Sequence, residues 1–243
     1  MVIGAISDVG RVRENNQDAY YVSGDLSFPL YMVADGMGGH NAGEVASGMA
    51  MNIIEKRFLE SKDELKDENM VIKLIKKLIE EANTKIYLKS LENEKYKGMG
   101  TTITLSYIFN EKICIGHVGD SRAYLIRDRE MLQITEDHSF VNELLKTGSI
   151  TKEEAKTHPK RNMITRAVGT SSIIEMDLII KEYTKDDILI LCSDGLFNML
   201  KEFEIKDVFI EEKDIQKACD TLATMANNRG GLDNITVLAI KFN

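Results

Sequence analysis

Two stretches in the first half of the chain carry apolar residues at helical spacing. In residues 42–59, Val45, Met49 and Ile53 recur every four positions. A longer stripe fills about residues 67–89, and its members are Val71, Ile75, Leu78, Ala82 and Ile86. Apolar residues three or four positions apart share one face of a helix. Both stretches are therefore predicted to be helices with one face on a core.

The period changes after residue 100, where short apolar or alternating runs rich in Ile, Leu, Val and Thr predict strands. These runs are 101–109, 113–118, 123–126, 131–134, 174–180, 188–192 and 235–242. Residues 214–226 return to helical spacing, and Thr151 with Glu154 forms a capping-box pattern for a short helix. Strands that follow strands favour antiparallel sheets covered by helices, which is an α+β class.

Residues 137–172 carry few strand signals, many polar residues and a His158-Pro159 break. An irregular segment of this length inside a compact domain is often a functional loop or lid. A surface insertion explains the same pattern equally well, so the pattern alone leaves both interpretations open.

Composition limits the class of protein. The chain has 243 residues, of which 43% are hydrophobic, and its 2 prolines mark no linker, so a single domain spanning 1–243 is expected. A net charge of −8 argues against nucleic-acid binding, which needs a basic surface. The 3 cysteines, Cys114, Cys192 and Cys219, are widely spaced in apolar runs, which indicates packing and neither disulfides nor zinc.

The N-terminal residues lack the basic region and apolar run of a signal peptide. No stretch approaches the roughly 20 apolar residues that a membrane span needs. The expected location is therefore the cytoplasm.

Four aspartates stand at the ends of apolar runs: Asp35, Asp120, Asp194 and Asp233. A single Asp-Gly pair is commonly just a turn, because both residues tolerate positive φ. Four carboxylates gathered at one sheet edge would repel one another unless cations were bound. Oxygen ligands without a Cys/His cluster favour Mg²⁺ or Mn²⁺ over zinc.

Two further motifs could contribute chemistry. Arg13 offers a planar fork for phosphate, although alone it is more readily a surface residue, and Asp18 alone could be a turn or cap residue. The glycine-rich loop at 36–40 could cradle an anion at a helix N-terminus or let the backbone approach a metal. His40 could be a ligand, a proton donor or a polar loop residue.

Taken together, these motifs resemble the metal-dependent type 2C protein phosphatase family (PPM) in its bacterial form. The stretches that carry the resemblance occur in the family's order over essentially the whole chain. They are Ser7-Asp8-Val9-Gly10 with Arg13, Asn16-Gln17-Asp18, Val33-Ala34-Asp35-Gly36-Met37-Gly38-Gly39-His40, Gly98-Met99-Gly100-Thr101-Thr102, Gly119-Asp120-Ser121-Arg122, Asp137-His138-Ser139, Arg161-Asn162, Thr165-Arg166-Ala167-Val168-Gly169, Cys192-Ser193-Asp194-Gly195-Leu196 and Gly231 with Asp233-Asn234-Ile235-Thr236.

The resemblance implies two packed antiparallel β-sheets flanked by helices, an α-β-β-α sandwich, with two Mn or Mg ions at one end. It implies that Asp35 bridges both ions, that the Gly36 carbonyl binds one, and that Asp194 and Asp233 complete the second site. Asp18 would act nearby through water, and Asp120 with Asp194 would hold a possible third ion. Residues 137–172 match the family's flap.

The implied activity is hydrolysis of phosphoserine and phosphothreonine in proteins by water activated at the two-metal centre, with Arg13 holding the phosphate. By family analogy, the partners are a bacterial Ser/Thr kinase and its substrates, and a monomer is expected. Eukaryotic relatives place His where this chain has Met37, so the proton donor stays open between His40 and metal-bound water. The alternatives are a metal-bound, non-catalytic regulatory module and a small-molecule phosphatase on the same fold.

Overall fold

Two antiparallel sheets face each other in the computed structural model, which describes residues 1–24, 27–39, 42–61 and 65–243. The strands are β1 (Val2–Asp8), β2 (Asp18–Val22), β3 (Leu30–Met37), β4 (Gly100–Thr101), β5 (Ile103–Phe109), β6 (Lys112–Val118), β7 (Arg122–Arg127), β8 (Glu130–Gln133), β9 (Asp177–Glu182), β10 (Ile188–Cys192) and β11 (Ile235–Lys241). Within the described ranges, the first sheet has the order β1-β11-β10-β7-β8, and the second has β2-β3-β5-β6-β9 with β4 paired to β3.

Helices cover the outer face of each sheet, and two further helices lie in the segment 137–172. They are α1 (Ala42–Ser61), α2 (Glu68–Glu92), α3 (Phe140–Lys146), α4 (Lys152–Thr157), α5 (Asp194–Phe197), α6 (Glu202–Glu211) and α7 (Ile215–Asn228), with a 3₁₀ turn at Glu94–Tyr96. The buried side chains of α1 and α2 pack with the second sheet, and those of α6 and α7 pack with the first. The predicted α-β-β-α sandwich is therefore confirmed.

Successive side chains of a strand point to opposite faces of its sheet, so each sheet contributes residues to two hydrophobic cores. In β3, Met32 packs among the helix residues, whereas Tyr31 and Val33 point into the layer between the sheets. In β10, Ile190 packs beneath the helices, and its neighbours Leu189 and Leu191 meet the other sheet. Strands buried on both faces read as continuous apolar runs, as Ile188–Cys192 does.

Most predicted elements are present with shifted bounds. The capping box at Thr151 and Glu154 is confirmed at the start of α4. The predicted run 101–109 divides into β4 and β5, and the strand predicted at 174–180 instead spans Asp177–Glu182. The predicted start is too early because Ile174 and Met176 are apolar and pack against the core, although both residues precede the strand. The strands β1 and β2 were absent from the predicted runs.

The segment 137–172 contains α3 and α4. An isolated bridge joins Val168 of this segment to Thr101 of β4, and a second bridge, between Ser139 and Ile164, pairs two parts of the segment with each other. The three cysteines are free and buried, as predicted. None of the helices in the described part of the chain is both long and apolar enough to cross a membrane.

Candidate metal centre

Asp18 and Asp35 lie directly opposite each other on neighbouring strands. The register of β2 on β3 pairs them, and like charges opposed in this way destabilise a sheet. The backbone of Asp35 is fixed on its other side, where its N–H donates to Thr102 Oγ1 at 2.8 Å and its carbonyl accepts from Thr101 Oγ1 at 3.0 Å. The backbone of the predicted bridging residue is therefore held between β2 on one side and Thr101 and Thr102 on the other, whatever its side chain binds.

Gly36 follows on the same strand, where the chain leaves no room for a side chain. A Cβ on Gly36 would overlap the carbonyl oxygen of Gly43 in the first turn of α1. Its N–H donates to the Gln17 carbonyl at 3.0 Å. Glycine here lets the strand end and the helix start approach closely, so the backbone itself forms part of the site.

Asp194 and Asp233 come from the other sheet. Asp194 begins α5 just after β10, and Asp233 precedes β11, the antiparallel neighbour of β10. A Cβ on Gly195 would overlap the carbonyl of Asn234, so the two segments are in close contact. The antiparallel pairing thus brings two aspartates 39 positions apart in sequence to the same edge.

These residues line one cleft of about 240 Å³ between the sheet ends. Its wall includes Arg13, Asp35, Gly36, Asp120, Asp194 and Asp233, with Asn162 and Ile164 from the flap. Asp18 is linked to this wall through a hydrogen bond from Ser193, the residue before Asp194. A larger cavity of about 410 Å³, lined by Glu143, Arg166 and Glu175 among others, contains none of the predicted site residues.

The clustered carboxylates raise one another's proton affinity. Burial, followed by repulsion from Asp18, Asp194, Asp120 and Asp233, raises the pKa of Asp35 well above its usual value. Burial, followed by repulsion from Asp120, Asp233 and Asp18, likewise raises the pKa of Asp194. Burial is also the main reason that the pKa of Asp18 and that of Asp120 rise to about 6. Such a site favours either protons or cations.

Two buried carboxylate oxygens are available to bind a cation. Oδ1 of Asp18 and Oδ1 of Asp194 are buried, and neither has a hydrogen-bond partner. Among the described residues, no three His, Cys, Asp or Glu side chains form a ligand group for one ion. Mg²⁺-type ions commonly bind through one or two carboxylates and keep several waters, so the oxygen donors present fit such ions.

Arg13 is at the cleft, but its guanidinium is partly engaged. Its Nη2 donates to Asp233 Oδ2 at 2.7 Å, and its side chain is 50% exposed. A guanidinium carries five N–H donors, so one bond to Asp233 leaves others for an anion. Asp233 Oδ1 also accepts from the Asn234 N–H at 2.9 Å.

Sequence patterns missed the residues that support the site. Asn234 is buried, accepts from Gln17 N–H at 2.8 Å, and donates to the carbonyls of Val9 and Asn15 at 2.8 and 3.0 Å. It thereby fastens the loop that carries Arg13. The motif Asp233-Asn234 was the available signal, but nothing in it specified the amide's partners. His40 lies outside the described residues.

A family model described as "Protein phosphatase 2C" matches residues 10–230 of this chain. The chain belongs to this family. Serine/threonine phosphatase stp of Listeria welshimeri is 40% identical over 239 residues, which cover 98% of this chain and 94% of that protein. Protein phosphatase PhpP of Streptococcus pneumoniae is also 40% identical, covering 100% of this chain and 98% of that protein.

Solved structures agree with the fold. The S. agalactiae serine/threonine phosphatase superposes with a TM-score of 0.94 at 40% identity, covering 99% of both chains. The catalytic domain of the phosphatase PstP, solved in complex with 2 manganese ions, has a TM-score of 0.85 at 33% identity, covering 98% of this chain and 96% of that one. The present chain is a metal-dependent serine/threonine protein phosphatase with phosphoprotein substrates.

Proposed function

We propose that this phosphatase uses two Mn²⁺ or Mg²⁺ ions held at the cleft between its sheets. Asp35, the Gly36 carbonyl, Asp194 and Asp233 would hold these ions. Asp18 would support the same ions through water. The observation that carries the proposal is the convergence of aspartates from both sheets on one cleft, where the raised pKa values of Asp35 and Asp194 favour a cation.

Asp120, together with Asp194, would hold a third ion. Asp120 shares the cleft wall with Asp194, and repulsion from Asp120 helps to raise the pKa of Asp194. Counting bound Mn²⁺ in wild type and in Asp120→Asn tests this part of the proposal. We expect one ion fewer in the variant, and equal counts would remove the third site.

Bound Mn²⁺ or Mg²⁺ would supply an activated water and offset the negative charge that develops on the phosphate. Arg13 would bind the phosphate with the N–H groups that Asp233 leaves available, because a guanidinium fork matches phosphate oxygens. Met37 lines the cleft and has no proton to give. The described part of the lining contains no histidine, and the proton donor stays open between His40 and metal-bound water.

The relatives' names point to phosphoproteins, and we propose that a Ser/Thr kinase and its substrates are the physiological partners. We further propose a monomeric, single catalytic domain over residues 1–243, acting in the cytoplasm. Size-exclusion chromatography, cell fractionation and dephosphorylation of an autophosphorylated kinase would test these points separately.

The direct test is hydrolysis of a phosphothreonine peptide with Mn²⁺, with EDTA, and by Asp194→Asn. We expect activity in Mn²⁺, loss in EDTA, and a loss of at least about a hundredfold in the variant, since metal-centre electrostatics supply several kcal/mol. Asp128→Asn, the same chemical change at an exposed turn between β7 and β8, should retain activity. Full activity in EDTA would refute the metal mechanism, and a preference for nucleotides over the peptide would favour a small-molecule phosphatase.

A further inference from the structure

Asp18 is reached by two buried hydroxyl groups from the opposite sheet. Ser193 Oγ donates to Asp18 Oδ2 at 2.6 Å, and Thr236 Oγ1 donates to the same oxygen at 2.7 Å. Both donor residues are fully buried. One carboxylate oxygen is thus fixed by two short bonds, and the other, Oδ1, is buried without a partner.

The two donors also hold each other in place. The Thr236 N–H donates to Ser193 Oγ at 3.0 Å, and the Ser193 N–H donates to the Thr236 carbonyl at 3.1 Å. This reciprocal pair lies where β10 ends beside β11. The Ser193 hydroxyl therefore cannot move without breaking a contact to the backbone of Thr236 as well.

A single proton per hydroxyl fixes the direction of the remaining bonds. Because Thr236 Oγ1 gives its proton to Asp18, it must accept at its 2.8 Å contact with Ser7 Oγ. Ser7 in turn accepts from Asn16 Nδ2 at 2.8 Å. The chain of donors therefore runs from Asn16 through Ser7 and Thr236 to Asp18, and every step points its donor toward the carboxylate.

We propose that Ser193 and Thr236 are positioning residues that lock the Asp18 carboxylate with its Oδ1 directed toward the cation site. The inference rests on the metal centre of the proposed function. The partners that orient metal-binding groups matter for affinity, and their removal typically weakens it about 10- to 100-fold. Here the orienting groups lie on one sheet and the oriented carboxylate on the other, so they also set the distance between the two halves of the site.

The test is calorimetric titration of the metal-free chain with Mn²⁺, which does not depend on turnover. Thr236→Val and Ser193→Ala should each weaken binding about tenfold. Thr236→Ser keeps the hydroxyl and should bind Mn²⁺ with nearly wild-type affinity. If Thr236→Val does not fold, Thr236→Ser is compared with Ser193→Ala instead. Ser106→Ala is the matched control, because Ser106 is equally buried but its Oγ has no partner.

A double-mutant cycle separates positioning from a general structural effect. In an Asp18→Ala background, Thr236→Val should cause no further loss of Mn²⁺ affinity, because the carboxylate through which it acts is gone. An equal loss in both backgrounds, or wild-type affinity in the single variants, would overturn the inference. Absence of Mn²⁺ binding by the wild type would instead contradict the proposed function and overturn the inference with it.

Discussion

Replacing Asp18 by asparagine should stabilise the metal-free protein near neutral pH, although it removes a site residue. The amide oxygen of the introduced asparagine can accept the hydroxyl bonds from Ser193 and Thr236 in place of the carboxylate Oδ2. Its amide nitrogen would replace the buried Oδ1 that has no partner. The substitution therefore keeps the hydrogen bonds, removes one negative charge from the carboxylate cluster, and adds a donor.

The magnitude follows from the pKa of Asp18, which burial, the largest cause, raises from 3.8 to about 6. A difference of this size corresponds to at most about 3 kcal/mol, since each pH unit is worth about 1.4 kcal/mol. Screening and sharing of protons among the clustered carboxylates reduce it, so we expect about 1–3 kcal/mol. For a chain of this length that is a rise in Tm of about 3–10 °C.

The pH dependence has a defined sign. Because the pKa is higher in the folded state, ionised Asp18 destabilises the fold fully above about pH 6, and this penalty disappears as the pH falls toward 3.8. In thermal unfolding with EDTA, the Tm of Asp18→Asn should be higher than that of wild type at about pH 7.5, and the two Tm values should be equal near pH 4. A higher Tm of the variant near pH 4, or equal Tm values at about pH 7.5, would refute the electrostatic reasoning.

Added Mn²⁺ should reduce the Tm difference between Asp18→Asn and wild type at neutral pH, or reverse its sign. A ligand at about 100 times its Kd stabilises the protein that binds it by about 2.7 kcal/mol. Wild type should gain this stabilisation in full, and Asp18→Asn should gain less. Asp128→Asn is the control for loss of a carboxylate away from the cleft, and its unfolding should follow wild type with and without the ion.

Two further substitutions test how the flap is attached. Asn83 is buried, donates to the Ser171 carbonyl at 3.0 Å and accepts from Gly169 N–H at 2.7 Å, so Asn83→Ala should cost about 1–3 kcal/mol in urea unfolding and speed proteolysis within the flap. An unchanged cleavage rate would contradict this attachment. Arg122 binds Asp137 with both Nε and Nη2, so Arg122→Ala should cost about 3 kcal/mol and Arg122→Lys less. Equal losses for the two would show that the paired geometry is unimportant.

The sequence predicted those parts of the fold that depend on local periodicity. The stripe Val71, Ile75, Leu78, Ala82 and Ile86 is fully buried in α2, because residues three and four apart face one way in any helix. Asp194 was recognisable because a polar residue follows a wholly apolar strand. The edge strand β1 was missed, since most of its residues are only partly buried and its sequence carries no clear alternation.

The contacts that organise the site could not be read from local patterns. Ser193 and Asp18 are separated by 175 positions, and Thr236 and Asp18 by 218, so their bonds depend on how one sheet is placed against the other. The ion pair of Arg13 with Asp233 spans 220 positions. A residue type can suggest that a side chain binds a metal or phosphate, but its partner is a property of strand order and register.

The position of the aspartates connects metal binding with the packing of the two sheets. The core between the sheets is apolar, with Tyr31, Leu191 and Leu238 among its members, and it gives way at one end to carboxylates from both sides. Without a cation, repulsion at that end acts against the contact that the apolar core maintains. A cation shared by both sides converts this repulsion into a cross-link, so metal binding should tighten sheet packing as well as create the reactive centre.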